Sequence, residues 1–128
     1  MNHCILVIED NLLNLELVTD LLEAKGFSVL QAQTAEEGVR SARENTPELI
    51  LMDLSLPGMD GLAAAKLLKD DPATSHLPIV ALTAHAMRGD DAIAKAAGCD
   101  GYLTKPIDTR RFIEQITPYI GFPGKPND

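Results

Sequence analysis

Short apolar runs alternate along the chain with longer segments in which apolar residues return every three or four positions. The run Cys4–Ile8 ends in the acids Glu9 and Asp10. Leu12, Leu15, Leu17, Val18, Leu21 and Leu22 then recur at i, i+3 and i+4, which predicts a helix with one apolar face. Asp10 or Asn11 suits its N-cap. Gly26 follows the last periodic residue, where a left-handed C-terminal cap favours glycine. Residues 27–32 read as a second strand. Thr34 with Glu37 three positions on is a capping box that opens a helix to about residue 44. The stretch 48–53 is almost entirely apolar, as a strand covered on both faces must be. Pro57, Gly58, Asp60 and Gly61 make 55–61 a turn, and a helix follows over 61–69 until Asp71-Pro72 stops it. A fourth strand is predicted at 78–83, an Ala-rich helix at 87–97 and a short fifth strand at Gly101–Thr104. A last helix, capped by Asp108 or Thr109, should run to about residue 120 and leave 121–128 as a flexible tail.

Strands alternating with helices are the pattern of an α/β fold. Parallel neighbours need right-handed crossover helices, so an open five-stranded parallel sheet with helices on both faces is expected. The 128 residues fit one domain, at 1–120. Composition narrows the function classes. With 11 basic residues against 19 acidic ones the net charge is −8, which disfavours direct contact with nucleic acid. No apolar run approaches the ~20 residues of a membrane helix, and the N-terminus lacks the pattern of a signal peptide, so a cytoplasmic protein is expected.

The chemistry lies just past the strands. Strand one ends in Glu9-Asp10, strand three in Asp53, strand four in Thr83 and strand five in Lys105. Ligands of open α/β sheets bind beyond the carboxyl ends of the strands. Three acids gathered there repel one another unless cations join them. Lys105 compensates one charge, and a hard divalent ion such as Mg²⁺, which prefers carboxylate and phosphate oxygens, suits the remainder. Such a set is made for holding or moving a phosphoryl group.

The segments ILVIEDN, LILMDLSLPGMDG, PIVALTA and GYLTKP, in this order at the strand ends, resemble the response-regulator receiver domains of the CheY-like family. The resemblance covers the chain to about residue 120. It implies a flavodoxin-like fold of strand order 2-1-3-4-5. It implies Asp53 as the phosphoacceptor, Glu9, Asp10 and Asp53 with the Ser55 carbonyl as the Mg²⁺ site, and Lys105 as the partner of acceptor and phosphoryl group. Thr83 matches the switch hydroxyl and Tyr102 the aromatic side chain that follows it. The family's partners would be a histidine kinase or a histidine phosphotransfer protein, and a downstream protein target. The implied activity is a switch that catalyses its own phosphorylation and dephosphorylation but acts on no other substrate. The Lys105-Pro106 bond is expected cis.

Competing readings are weaker. A phosphatase of the haloacid-dehalogenase type needs a second Asp two residues after the first, where this chain has Ser55. A flavin binder needs a phosphate loop after strand one, and EDNLLN has neither Gly nor a run of Ser and Thr. A receiver module clipped from a larger regulator and a degenerate receiver that docks constitutively are the remaining alternatives, and the intact site argues against the second. His3 and His76 read as solvated, whereas His85, two residues past Thr83, borders the implied pocket. Cys4 and Cys99 are expected to be small buried hydrophobes. They would stand three strand spacings of ~4.8 Å apart, too far for a disulfide.

Overall fold

The computed structural model describes residues 4–54, 61–83, 95–105 and 107–120. The strands are β1 (Cys4–Ile8), β2 (Ser28–Ala32), β3 (Leu49–Asp53), β4 (Ile79–Thr83) and β5 (Gly101–Thr104). The helices are α1 (Leu12–Ala24), α2 (Ala35–Asn45), α3 (Gly61–Asp70) and α4 (Phe112–Ile116). All strands are parallel, in the order β2-β1-β3-β4-β5. The expected sheet is therefore the observed one. Ser55, His3, His85, Pro106 and the tail lie outside the described residues, as do 87–94 of the helix expected at 87–97.

The continuous apolar runs have a simple physical origin. Successive strand residues point to opposite faces, and here both faces are covered. Leu6, Ile8, Ile50, Met52, Ile79 and Ala81 face a core built with Ala35 and Ala42 of α2 and Ala64, Ala65 and Leu68 of α3. Ile5, Val7, Leu49, Leu51, Val80 and Leu82 face the other core, with Leu15, Val18 and Leu22 of α1 and Phe112 and Ile116 of α4. The three central strands are essentially dry, and this fixes their register: a one-residue slip would exchange the two faces.

The helix ends follow their capping residues. Asn11 caps α1, its side chain accepting from Asn14 N, and Thr34 caps α2 in the same way from Glu37 N. Gly26 has φ +91°, and the Gly26 and Phe27 N–H groups donate back to Glu23 O and Leu22 O, satisfying the last carbonyls of α1.

Four expectations need correction or refinement. Leu12 belongs to the apolar period of α1 but is 63% exposed, at the first position of the helix, and the core contact begins at Leu15. Asp108 caps a single turn ahead of the last helix, its carboxylate accepting from Arg110 N and its carbonyl from Phe112 N, but the regular helix starts only after Arg111, which makes no side-chain capping bond. That helix also ends early, passing into a 3₁₀ turn at Thr117–Tyr119, since Pro118 lacks the N–H that an α-helix would require there. Finally, Cys99 is buried but Cys4 only partly so, and both thiols are free.

Candidate functional site

Parallel strands send their carboxyl ends to one edge of the sheet, and the backbone ladder pins each site position there. Glu9 N donates to Ala32 O at 2.9 Å, Leu54 N to Leu82 O at 3.0 Å and Lys105 N to Thr83 O at 2.7 Å. Glu9, Asp53 and Lys105 continue the alternate positions of β1, β3 and β5 that face α1 and α4. Thr83 and Tyr102 continue the opposite set, facing α2 and α3. Ala81 pairs with Tyr102 and Thr83 with Thr104, so Thr83 and Tyr102 are diagonal neighbours on one face.

The side chains converge as the strand ends imply. Glu9, Asp10 and Asp53 each bring a carboxylate oxygen within 4.8 Å of the others. Glu9 and Asp53 are buried and Asp10 is exposed. Lys105 Nζ lies 2.8 Å from Glu9 Oε1 and 3.2 Å from Asp53 Oδ2. Glu9 is thus the nearer partner of the lysine, which the sequence did not reveal. The Lys105 contact with Oε1 is an ion pair without the angle of a directed hydrogen bond, leaving that buried oxygen short of a directional donor. The other oxygen, Oε2, accepts from Asn11 N at 3.2 Å.

Electrostatics follow from this crowding. Burial pushes the Glu9 carboxyl above its ordinary pKa, and Asp53 adds to the rise while Lys105 opposes it. Burial alone would pull the Lys105 ammonium down, but Glu9 and Asp53 together hold it above its ordinary value. Among the described residues, three carboxylates against one ammonium leave a formal surplus of two negative charges. An all-oxygen donor set, a buried carboxylate oxygen without a directed donor and that surplus fit a hard divalent cation.

Gly61, the first residue of α3, is packed directly against this floor. A Cβ there would lie 2.6 Å from Asp53 O and 2.8 Å from Leu54 Cα, both backbone atoms that cannot swing away. The turn formers of 55–61 and the helix predicted over 61–69 meet at this glycine, whose role is to let α3 approach the end of β3. Leu12 and Leu13 stand exposed on the first turn of α1, immediately after the acidic pair.

Comparison with known proteins agrees with this geometry. The profile of the response regulator receiver domain matches residues 5–117. The polar-differentiation response regulator DivK of Brucella ovis is 44% identical over 121 residues, spanning 94% of this chain and 98% of that protein. The receiver domain of the sensor histidine kinase PA1611 from Pseudomonas aeruginosa, solved with a magnesium ion in its active-site cleft, superimposes with a TM-score of 0.87 at 32% identity, covering 95% of this chain and 100% of that one. A co-crystal structure of the Saccharomyces cerevisiae histidine phosphotransfer protein Ypd1 and the receiver domain of its response regulator Ssk1 gives a TM-score of 0.84 at 31% identity, covering 92% and 88%. With the strand order, the edge site and these matches in agreement, the chain belongs to the response regulator receiver domain family of two-component signalling.

Proposed function

We propose that this chain is a phosphorelay switch that accepts a phosphoryl group on Asp53 from a phosphohistidine of a histidine kinase or histidine phosphotransfer protein. The observation that carries this reading is the buried Asp53 carboxylate at the end of β3, with Lys105 Nζ at 3.2 Å and two further acids beside it. An Asp53 oxygen attacks phosphorus as the bond to the histidine nitrogen breaks, and the imidazole leaves with that electron pair. The product is an acyl phosphate, whose later hydrolysis in the same site returns the carboxylate. The chain thereby promotes its own phosphorylation and dephosphorylation. Glu9, Asp10 and Asp53 would hold Mg²⁺, together with the carbonyl of Ser55. When bound, the ion neutralises charge developing on the phosphoryl oxygens. Lys105 reaches Asp53 without rearrangement and pairs with the incoming charge.

A phosphoryl group adds about two negative charges and three acceptor oxygens. In our reading Thr83 donates a hydrogen bond to it, and Tyr102, its diagonal neighbour, follows. The signal then leaves by protein contact on the face that Tyr102 adjoins. Residues 1–120 form the functional unit, at work in the cytoplasm. Exposed Leu12 and Leu13 offer apolar contact to a phosphodonor protein beside the site. The decisive experiment is transfer of labelled phosphate from a histidine phosphotransfer protein, or from acetyl phosphate, to wild type and Asp53→Asn. Wild type should label in a Mg²⁺-dependent way and Asp53→Asn should not, because an amide is no nucleophile. Undiminished labelling of Asp53→Asn refutes the acceptor assignment.

A further inference from the structure

Glu9 is buried, and its carboxylate direction is set by what it touches. Lys105 is a poor guide for that direction, since its ammonium rotates on a flexible four-carbon stem. The directional contact is the peptide N–H of Asn11, 3.2 Å from Oε2. Where that N–H points depends on the backbone at Asn11, held at φ −81° and ψ 114°. The side chain of the same residue holds it there: Asn11 Oδ1 accepts from Asn14 N at 3.1 Å and ties residue 11 to the first turn of α1. The helix is in turn anchored by Leu15, Val18 and Leu22 in the core.

The second capped helix shows what is special here. In a capping box, a Glu or Gln three residues after the cap reaches back to satisfy the backbone N–H at the helix entrance. At α2, Glu37 reaches one residue further back and accepts from Gln33 N, just before the Thr34 cap, at 2.8 Å. The equivalent residue of α1 is Asn14, whose shorter side chain is not the Glu or Gln of the box. The entrance N–H of α1 is instead given to Glu9. The two caps look alike, but only that of α1 ends on a carboxylate of the acidic site.

We propose that Asn11 is a positioning residue of the site: by capping α1 it fixes the N–H that holds Glu9 Oε2, and so aims Glu9 Oε1 toward Lys105 and the cation. The inference rests on the functional reading above in taking Mg²⁺ as the cation. Asn11 itself is not one of the clustered acids, and its side-chain oxygen accepts from Asn14 N.

Asn11→Gly removes the tie while keeping a residue tolerated at N-caps, so the protein should still fold. Thr34→Gly makes the same change at α2, away from the site. Mg²⁺ binding measured by calorimetry should weaken about tenfold in Asn11→Gly, the size of effect seen when the partner that orients a metal ligand is lost. It should stay at the wild-type value in Thr34→Gly and return to within about twofold in Asn11→Ser, which restores the cap without adding charge. Amide exchange at residue 11, read without Mg²⁺, should be about tenfold faster in Asn11→Gly than in wild type. A purely structural cap predicts equal Mg²⁺ affinity in the two glycine variants, and that result overturns the proposal. So does unchanged amide protection at residue 11. If wild type binds no Mg²⁺, or if Asp53→Asn still labels, the functional reading fails, and the exchange comparison then decides the Asn11 tie by itself.

Discussion

Two lysines sit at opposite ends of the sheet, each held by oxygen atoms at ion-pair distance. At the amino end, Lys69 Nζ donates to Leu77 O at 2.8 Å, to Ser75 O at 3.3 Å and to Asp100 Oδ2 at 3.1 Å. Asp100 Oδ2 also accepts from Ile79 N at 2.8 Å. Each partner there is neutral or balanced: one ammonium, one carboxylate, and carbonyls that need donors. At the carboxyl end, Lys105 pairs with two of three clustered acids and, among the described residues, does not balance them. The lesson is that an ion pair alone does not mark a site. Lys69 closes a ledger of charge and hydrogen bonds, which makes it a brace between α3, β4 and the entrance to β5. Lys105 leaves charge over, and leftover buried charge calls for a ligand.

The largest expected effect sharpens that contrast. Lys105→Met should slow phosphorylation by acetyl phosphate about a hundredfold, the usual scale for losing one charge-stabilising donor. It should also tighten Mg²⁺ several-fold, since a competing cation is gone. A loss of Mg²⁺ affinity in this variant would mean that Lys105 organises the acids rather than competing for them. Next, Gly61→Ala pushes a methyl group into the backbone under Asp53. Unfolding in urea should show a loss of about 1–3 kcal/mol, the range for overpacking, together with slower phosphorylation. Lys69→Met should cost only about 1–2 kcal/mol, because its ion pair is partly solvated and the loss is mainly of hydrogen bonds. Its phosphorylation rate should stay within about twofold of wild type. A large loss of rate would show that the two ends are coupled.

The smallest effect concerns Cys99, beside the Lys69 brace. Burial, and then the Asp100 carboxylate, push its thiol up to about 11. A thiol whose folded pKa lies above its unfolded value keeps its full contribution to stability at neutral pH. It loses that contribution as pH rises from the ordinary thiol range of ~8.5 toward the folded value. The melting temperature of wild type should therefore fall more steeply between those limits than that of Cys99→Ala. Parallel slopes would mean that the thiol titrates alike in both states.

Much of this was legible in the sequence because the governing physics is local or topological. The apolar run LILMD suited a strand with two dry faces, and parallel strands bring Glu9, Asp10, Asp53, Thr83 and Lys105 to one edge. What escaped was set by the third dimension. The apolar period of α1 includes Leu12, but periodicity does not say at which turn the core cover begins. The preference of Lys105 for Glu9 depends on which buried oxygen lacks other donors. Pro118 was a readable sign that the last helix would end early, yet the apolar spacing around it favoured a longer helix. Asn11 was visible as a possible cap, but not that its peptide N–H would end on Glu9.

The wiring of the chain also sets an order of arrival. The three acids come from β1 and β3, while the lysine that tempers them follows β5, 52 positions after Asp53. At synthesis rates of ~5–20 residues per second that interval lasts roughly 3–10 s. Until it ends, the three acids have no Lys105 to temper them. The ammonium that does so follows the edge strand, so charge gathered at the middle of the sheet is balanced from its rim.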